Sequence, residues 1–110
     1  MENKIKKLDL EIKNKKEEIC KILREEIAKI INKLDIGSKK IHFNIYFKSG
    51  YTEYGISYAF KENDEIMVHS WLESNYDQGT FGDAPLDRYK SREKLEAILS
   101  ALKEHKYRID

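Results

Sequence analysis

A reaction in this chain would first be sought at three histidines, one cysteine and a few hydroxyls and carboxylates, and their spacing limits what they can do. His42, His69 and His105 stand far apart and Cys20 is distant from all of them, so no metal-ligand spacing is present. Ser57, Ser70, His42 and His69 lie on segments that neighbouring strands could bring together as nucleophile and base. No motif adds an oxyanion site or a third orienting group to them. Asp83 and Asp87 could share acid–base work, but solvated surface acids are the plainer reading. "GTFGD" (Gly79 to Asp83) lacks the strand-before, helix-after context and the lysine of a phosphate-cradling loop. Cys20, beside Ile19 in a helical pattern, reads as a small core residue. The expectation is a protein without catalytic residues, metal or cofactor.

The elements that must position these groups are well marked. From Ile5 to Leu34 the apolar residues recur at helical spacing among Lys and Glu, and Gly37 follows as a stop signal. Thirty helical residues span about 45 Å, more than the roughly 26 Å of an eight-residue strand. The part from Ile19 onward is expected to pack on a sheet, while residues 1–15 either project or pack on a second copy or another partner. Ile41 to Lys48 alternates in period two, "KSGY" supplies a turn, and Tyr54, Ile56, Tyr58 and Phe60 continue the inward set. After "KENDE", "IMVHSWL" reads as a third strand, with Met67, His69 and Trp71 outward. Residues 73–89, punctuated by Gly79, Gly82 and Pro85, read as a long loop. Ser91 then caps a final helix with Leu95, Ile98, Leu99 and Leu102 inward.

The spacing predicts one α+β domain over residues 1–110, a two-layer sandwich in the order α-β-β-β-(loop)-α. Both helices lie on one face of an antiparallel meander. Its core should hold Ile19, Leu23, Ile27, Ile30, Phe43, Ile45, Phe47, Ile56, Tyr58, Val68, Leu95, Leu99 and Leu102.

The second face of that meander would show His42, Asn44, Tyr46, Met67, His69 and Trp71, with Gly55, Ser57 and Ala59 as a trough between bulkier flanks. Beside it hang Glu73, Asp77, Asp83 and Asp87, with Tyr76, Phe81 and Tyr89 between them. Aromatic residues dominate interface hot spots, and acidic charge speeds capture of a basic partner. Tyr46, His69, Trp71 and Tyr76 are therefore expected as contact residues, and Glu73, Asp77, Asp83 and Asp87 as an electrostatic guide. The alternative is that the 73–89 segment covers Met67 and Trp71 and the acids only solubilise.

Charge supports a protein partner over nucleic acid. The chain carries a net charge of +1, and residues 41–90 hold 4 basic against 8 acidic side chains, a region that repels phosphates. No apolar run approaches bilayer length, and no signal-peptide core opens the chain. With a single cysteine, no internal disulfide can form, which suits a reducing cytoplasm.

The succession of an amphipathic helix, "IHFNIYF", "YGISYAF", "DEIMVHSWL" and "RYKSREKLEAILSALKEH" resembles the layout of small bacterial immunity proteins that neutralise polymorphic toxins. That resemblance implies a stoichiometric inhibitor of a toxin domain, frequently a basic nuclease, and transfers no individual residue. A phage-encoded inhibitor of a host nuclease, or an assembly protein dimerising through its first helix, would share the same sequence features.

Overall fold

The second half of the first helix is apolar on one side because a five-stranded sheet lies beneath it. In the computed structural model, which describes residues 2–74 and 78–110 (for Glu2 and residues 78–81 the backbone only), α1 runs Glu2–Leu34. It is followed by β1 (Ile41–Ser49), β2 (Thr52–Glu62), β3 (Glu65–Ser74) and β4 (Gln78–Pro85). A short 3₁₀ turn (Leu86–Arg88), α2 (Arg92–Lys103) and β5 (Tyr107–Ile109) complete the chain. The sheet is antiparallel throughout, in the order β4-β3-β2-β1-β5. The α+β class, the long first helix and the order α-β-β-β-α all hold.

Local chemistry explains the connections. Asp35 leaves α1 in the left-handed region at φ 48°, two residues before Gly37. Gly50 takes φ 60° at the first central position of the two-residue β1–β2 turn, and Asn63 and Asp64 both take positive φ between β2 and β3. Ser91 caps α2 by accepting a hydrogen bond from the Lys94 amide at 3.3 Å. At its other end His105 adopts φ 56°, while the Lys106 amide reaches back to the Ala101 carbonyl at 2.9 Å. That closure turns the chain into β5 along the free edge of β1.

Residues 73–89 are not the expected loop. Eight of them, Gln78–Pro85, form β4, paired with β3 from Met67↔Pro85 to Glu73↔Gln78. The glycines and the proline that hide it from a pattern reading are tolerable because β4 is an edge strand, with Pro85 as its last residue. Strand β5, too short to show a period, was also not expected.

The ladders shift by one residue at three places: near Phe43 and Asn44 in β1, at Ser57 in β2, and between Gly82 and Thr80 in β4. Each shift is a β-bulge that bends its strand; at Ser57 it also exchanges the facing of the residues beyond it, while β1 keeps Ile41, Phe43 and Ile45 on the core side. Past Ser57, therefore, Ala59 turns into the core with no exposed surface, and Tyr58 and Phe60 turn out. This corrects the expected facing of Ala59 and the placing of Tyr58 in the core.

Ile27 and Ile31 of α1, Ile41, Phe43, Ile56, Ala59 and Val68 of the sheet, and Leu95, Ile98 and Leu102 of α2 make one hydrophobic cluster. Leu23, Ile30, Ile45 and Leu99 flank it, while Ile19 and Phe47 are only half-buried. Cys20 is buried in the cluster and is a free thiol, its Sγ 3.5 Å from the Lys90 carbonyl. Arg24 donates to the Tyr89 carbonyl at 2.8 Å, fastening α1 to the segment that leads into α2.

Tyr89, expected to be exposed beside the acids, is buried, and its hydroxyl donates to the Val68 carbonyl at 3.3 Å. Burial is the largest cause holding its pKa above 10.0; the Asp83 charge adds to it and a hydrogen bond with Ser70 opposes it. A phenol with a raised folded-state pKa contributes stability that is complete below the unfolded value and is lost as pH climbs through the folded one. Urea unfolding should therefore show stability flat in this respect up to about pH 10 and falling above it. Tyr89→Phe should cost about 1 kcal/mol at neutral pH and flatten the alkaline decline.

Candidate functional site

The sheet face turned away from both helices is set by the bulges, since they decide which side chains reach it. Across it runs one register row: Arg108, His42, Tyr58, His69 and Asp83, one residue from each of the five strands. The Tyr58 and His69 rings stack with centroids 4.6 Å apart and planes within 6°. His42 meets the other flank of Tyr58 at 6.0 Å, and Lys40 Nζ stands 4.3 Å from the centre of that ring.

Each histidine is held by a carboxylate: His69 Nδ1 to Asp83 at 2.8 Å, His42 Nε2 to Asp110 at 2.6 Å. A carboxylate can only accept, so the hydrogen bond to Asp83 fixes the proton on His69 Nδ1 and leaves Nε2 directed elsewhere. The two histidine–carboxylate contacts also tie the sheet's outer strand and the chain's end to its middle.

On the far side of the bulges the row is Tyr46, Gly55, Trp71 and Thr80. Gly55 is small because nothing else fits: a Cβ there would lie 2.3 Å from the Ile45 carbonyl oxygen and 2.7 Å from the Trp71 indole. The indole thus packs closely against β2 at Gly55, half-buried, while Tyr46 on β1 stands 63% exposed. Together with Asn44, Glu53 and Ser57 these two rings border a shallow depression of about 380 Å³. One row further, Lys48, Glu53 and Glu73 face one another across three strands. Glu53 and Glu73 are direct cross-strand partners, an arrangement that costs free energy unless a cation is near.

Of the residues expected to meet a partner, Tyr46, His69, Trp71, Glu73 and Asp83 do come together on this face. Two corrections apply to the acids. Asp83 is engaged by His69, and Asp87 lies past Pro85 on the 3₁₀ turn, off the strand ladder. Tyr76 and Asp77 fall outside the described residues. Tyr58, Lys40 and Arg108 were missed. Tyr58 could be found only from the bulge, because an aromatic continuing an alternating run is normally interior.

Ser70 and His69, one of the imagined pairings, are turned to opposite faces of the sheet. Ser70 is buried on the helix side of the sheet, with Tyr89, whereas its neighbour His69 points the opposite way. The described hydrogen bonds of both His42 and His69 go to carboxylates. Among the described residues, no group of three or more His, Cys, Asp or Glu is placed to hold a metal ion. Among the described residues, no helix is long and apolar enough to cross a membrane.

The contact between Gly55 and the indole yields a direct check, because Trp71 is the only tryptophan. Gly55→Ala should destabilise the fold by roughly 1–3 kcal/mol, as overpacking does. It should also red-shift and alter the Trp71 emission as the ring is pushed off the strand. Unchanged fluorescence and an unchanged urea midpoint would contradict the packing described.

Comparisons of the chain with protein-family models, with curated proteins and with solved structures give no match, so the reading of function rests on this face.

Proposed function

We propose that this chain is a non-catalytic binding protein that takes a basic protein partner on its open sheet face, as an inhibitor or immunity protein of a toxin domain does. The observation that carries the reading is the exposed Tyr46 beside the Trp71 indole packed on Gly55, bordered by the opposed Glu53 and Glu73. Rigid aromatic side chains held by a sheet lose little entropy on docking and supply large contact area. Glu53 and Glu73, side by side at the border of this face, would meet a lysine or arginine of the partner favourably. Of the acids expected as an electrostatic guide, Glu73 stands one row from the Tyr46–Trp71 pair, and Asp83 is held by His69. His69 and Tyr58 form a pre-stacked platform next to the depression rather than a reacting pair. In this reading the protein works in a reducing cytoplasm, where its buried thiol needs no partner.

The test is binding to, and neutralisation of, a toxin or nuclease domain encoded beside this gene. Tyr46→Ala and Trp71→Ala should each weaken the complex at least about tenfold, the loss expected of interface anchors. Glu73→Lys should mainly slow association, and more so at low ionic strength. A complex indifferent to Tyr46 and Trp71, with both variants shown to be folded, would remove the face from the proposal.

A further inference from the structure

The part of α1 that overhangs the sheet carries an apolar stripe of its own. Residues 3–18 are exposed throughout, and Ile5, Leu8, Ile12 and Ile22 each leave more than half of their surface in water. With Lys15 and Ile19 these residues step alternately by three and four, the seven-residue repeat of a coiled coil. Isoleucine occupies every a position (Ile5, Ile12, Ile19), and Leu8, Lys15 and Ile22 occupy d. Leu10 alone among the exposed aliphatic residues of this segment lies off the seam.

This stripe starts nearly in line with the core face and diverges from it along the helix: Ile5 and Ile12 lie roughly 40° and 60° around from the buried Ile27. At about 100° per residue, Ile22 lies roughly 140° around the helix from the buried Ile27. The two faces overlap along the chain near residues 19–23 but point in different directions. A second helix laid on the seam would leave the contact of α1 with its own sheet intact.

We propose that residues 4–22 of α1 pair with the same segment of a second copy as a parallel two-stranded coiled coil. Isoleucine at every a position with leucine at d, as at Leu8, favours two strands; Ile22 at d pulls the other way, and the charged Lys15 in the seam costs least where a two-stranded pairing leaves its ammonium close to water. Charge chooses the orientation. In the parallel arrangement each g residue faces the next e residue of the other chain, so Lys4 meets Asp9 and Glu11 meets Lys16. In the antiparallel registers that close most of the seam, Glu11 instead faces Glu11 or Glu18. The proposal rests on α1 alone and stands whether or not the sheet face takes a partner.

Sedimentation equilibrium of the full chain, from low micromolar to several hundred micromolar, should show a reversible monomer–dimer equilibrium. Ile12→Asp should be monomeric throughout, with the urea midpoint of the wild-type monomer, because Ile12 lies outside the core. Lys15→Leu should tighten the dimer at least about tenfold by completing the apolar seam. Ile5→Cys should cross-link to itself on oxidation, while the wild type, whose Cys20 is buried, should not. The proposal is overturned if both the wild type and Lys15→Leu stay monomeric at every concentration, or if a dimer persists unchanged in Ile12→Asp. A dimer that Ile5→Cys fails to cross-link would overturn the parallel register.

Discussion

The line of β-bulges across β1, β2 and β4 is the constraint on which the rest of this structure depends. A strand offers alternate residues to opposite faces, so one inserted residue exchanges the two sets beyond it. With an extra residue at Ser57, Ile56 and Ala59 can both reach the helices although three positions separate them. The same insertion turns Tyr58 outward between two histidines. Without it, β2 would bury the Tyr58 phenol and expose Ala59, and the stacked row from Arg108 to Asp83 could not exist. Core and outer face are therefore two consequences of one backbone irregularity.

Packing on the outer face is a product of that geometry. The indole of Trp71 lies against a backbone only because residue 55 has no side chain. The rings and imidazoles nearby are fixed by neighbours rather than left to rotate: His69 by Asp83 and Tyr58, His42 by Asp110. A surface held in this way is pre-organised, and pre-organisation lowers the entropic cost of binding a partner. Tyr46 is the contrast, a large ring extending into solvent beside an otherwise ordered patch.

The first helix divides its labour in a comparable manner. Its second half belongs to the domain core through Ile27 and Ile31, and Arg24 and Cys20 fasten it to the segment before α2. Its first half contributes nothing to that core, which accounts for the elongated extents of 56 × 38 × 26 Å. Helical continuity holds the overhang in line, supported by its charge-rich, proline-free sequence, which favours helix throughout.

Local pattern alone determined the long helix, the alternating β1, both tight turns, the Ser91 cap and the final helix, because each of these is encoded within a few neighbouring residues. It also placed Tyr46, His69 and Trp71 on the open face, since β1 and β3 keep their period around these positions. What only the tertiary structure decided lies beyond such local rules. Strand β4 is stabilised by pairing with β3 rather than by an apolar period, so its glycines and Pro85 disguised it as a loop. The facing of Tyr58 and Ala59 depends on a bulge whose extra residue carries no signature, because the alternation of large and small residues runs straight through it. The histidine–carboxylate pairs join residues 68 and 14 positions apart in the chain, a proximity that only sheet register creates.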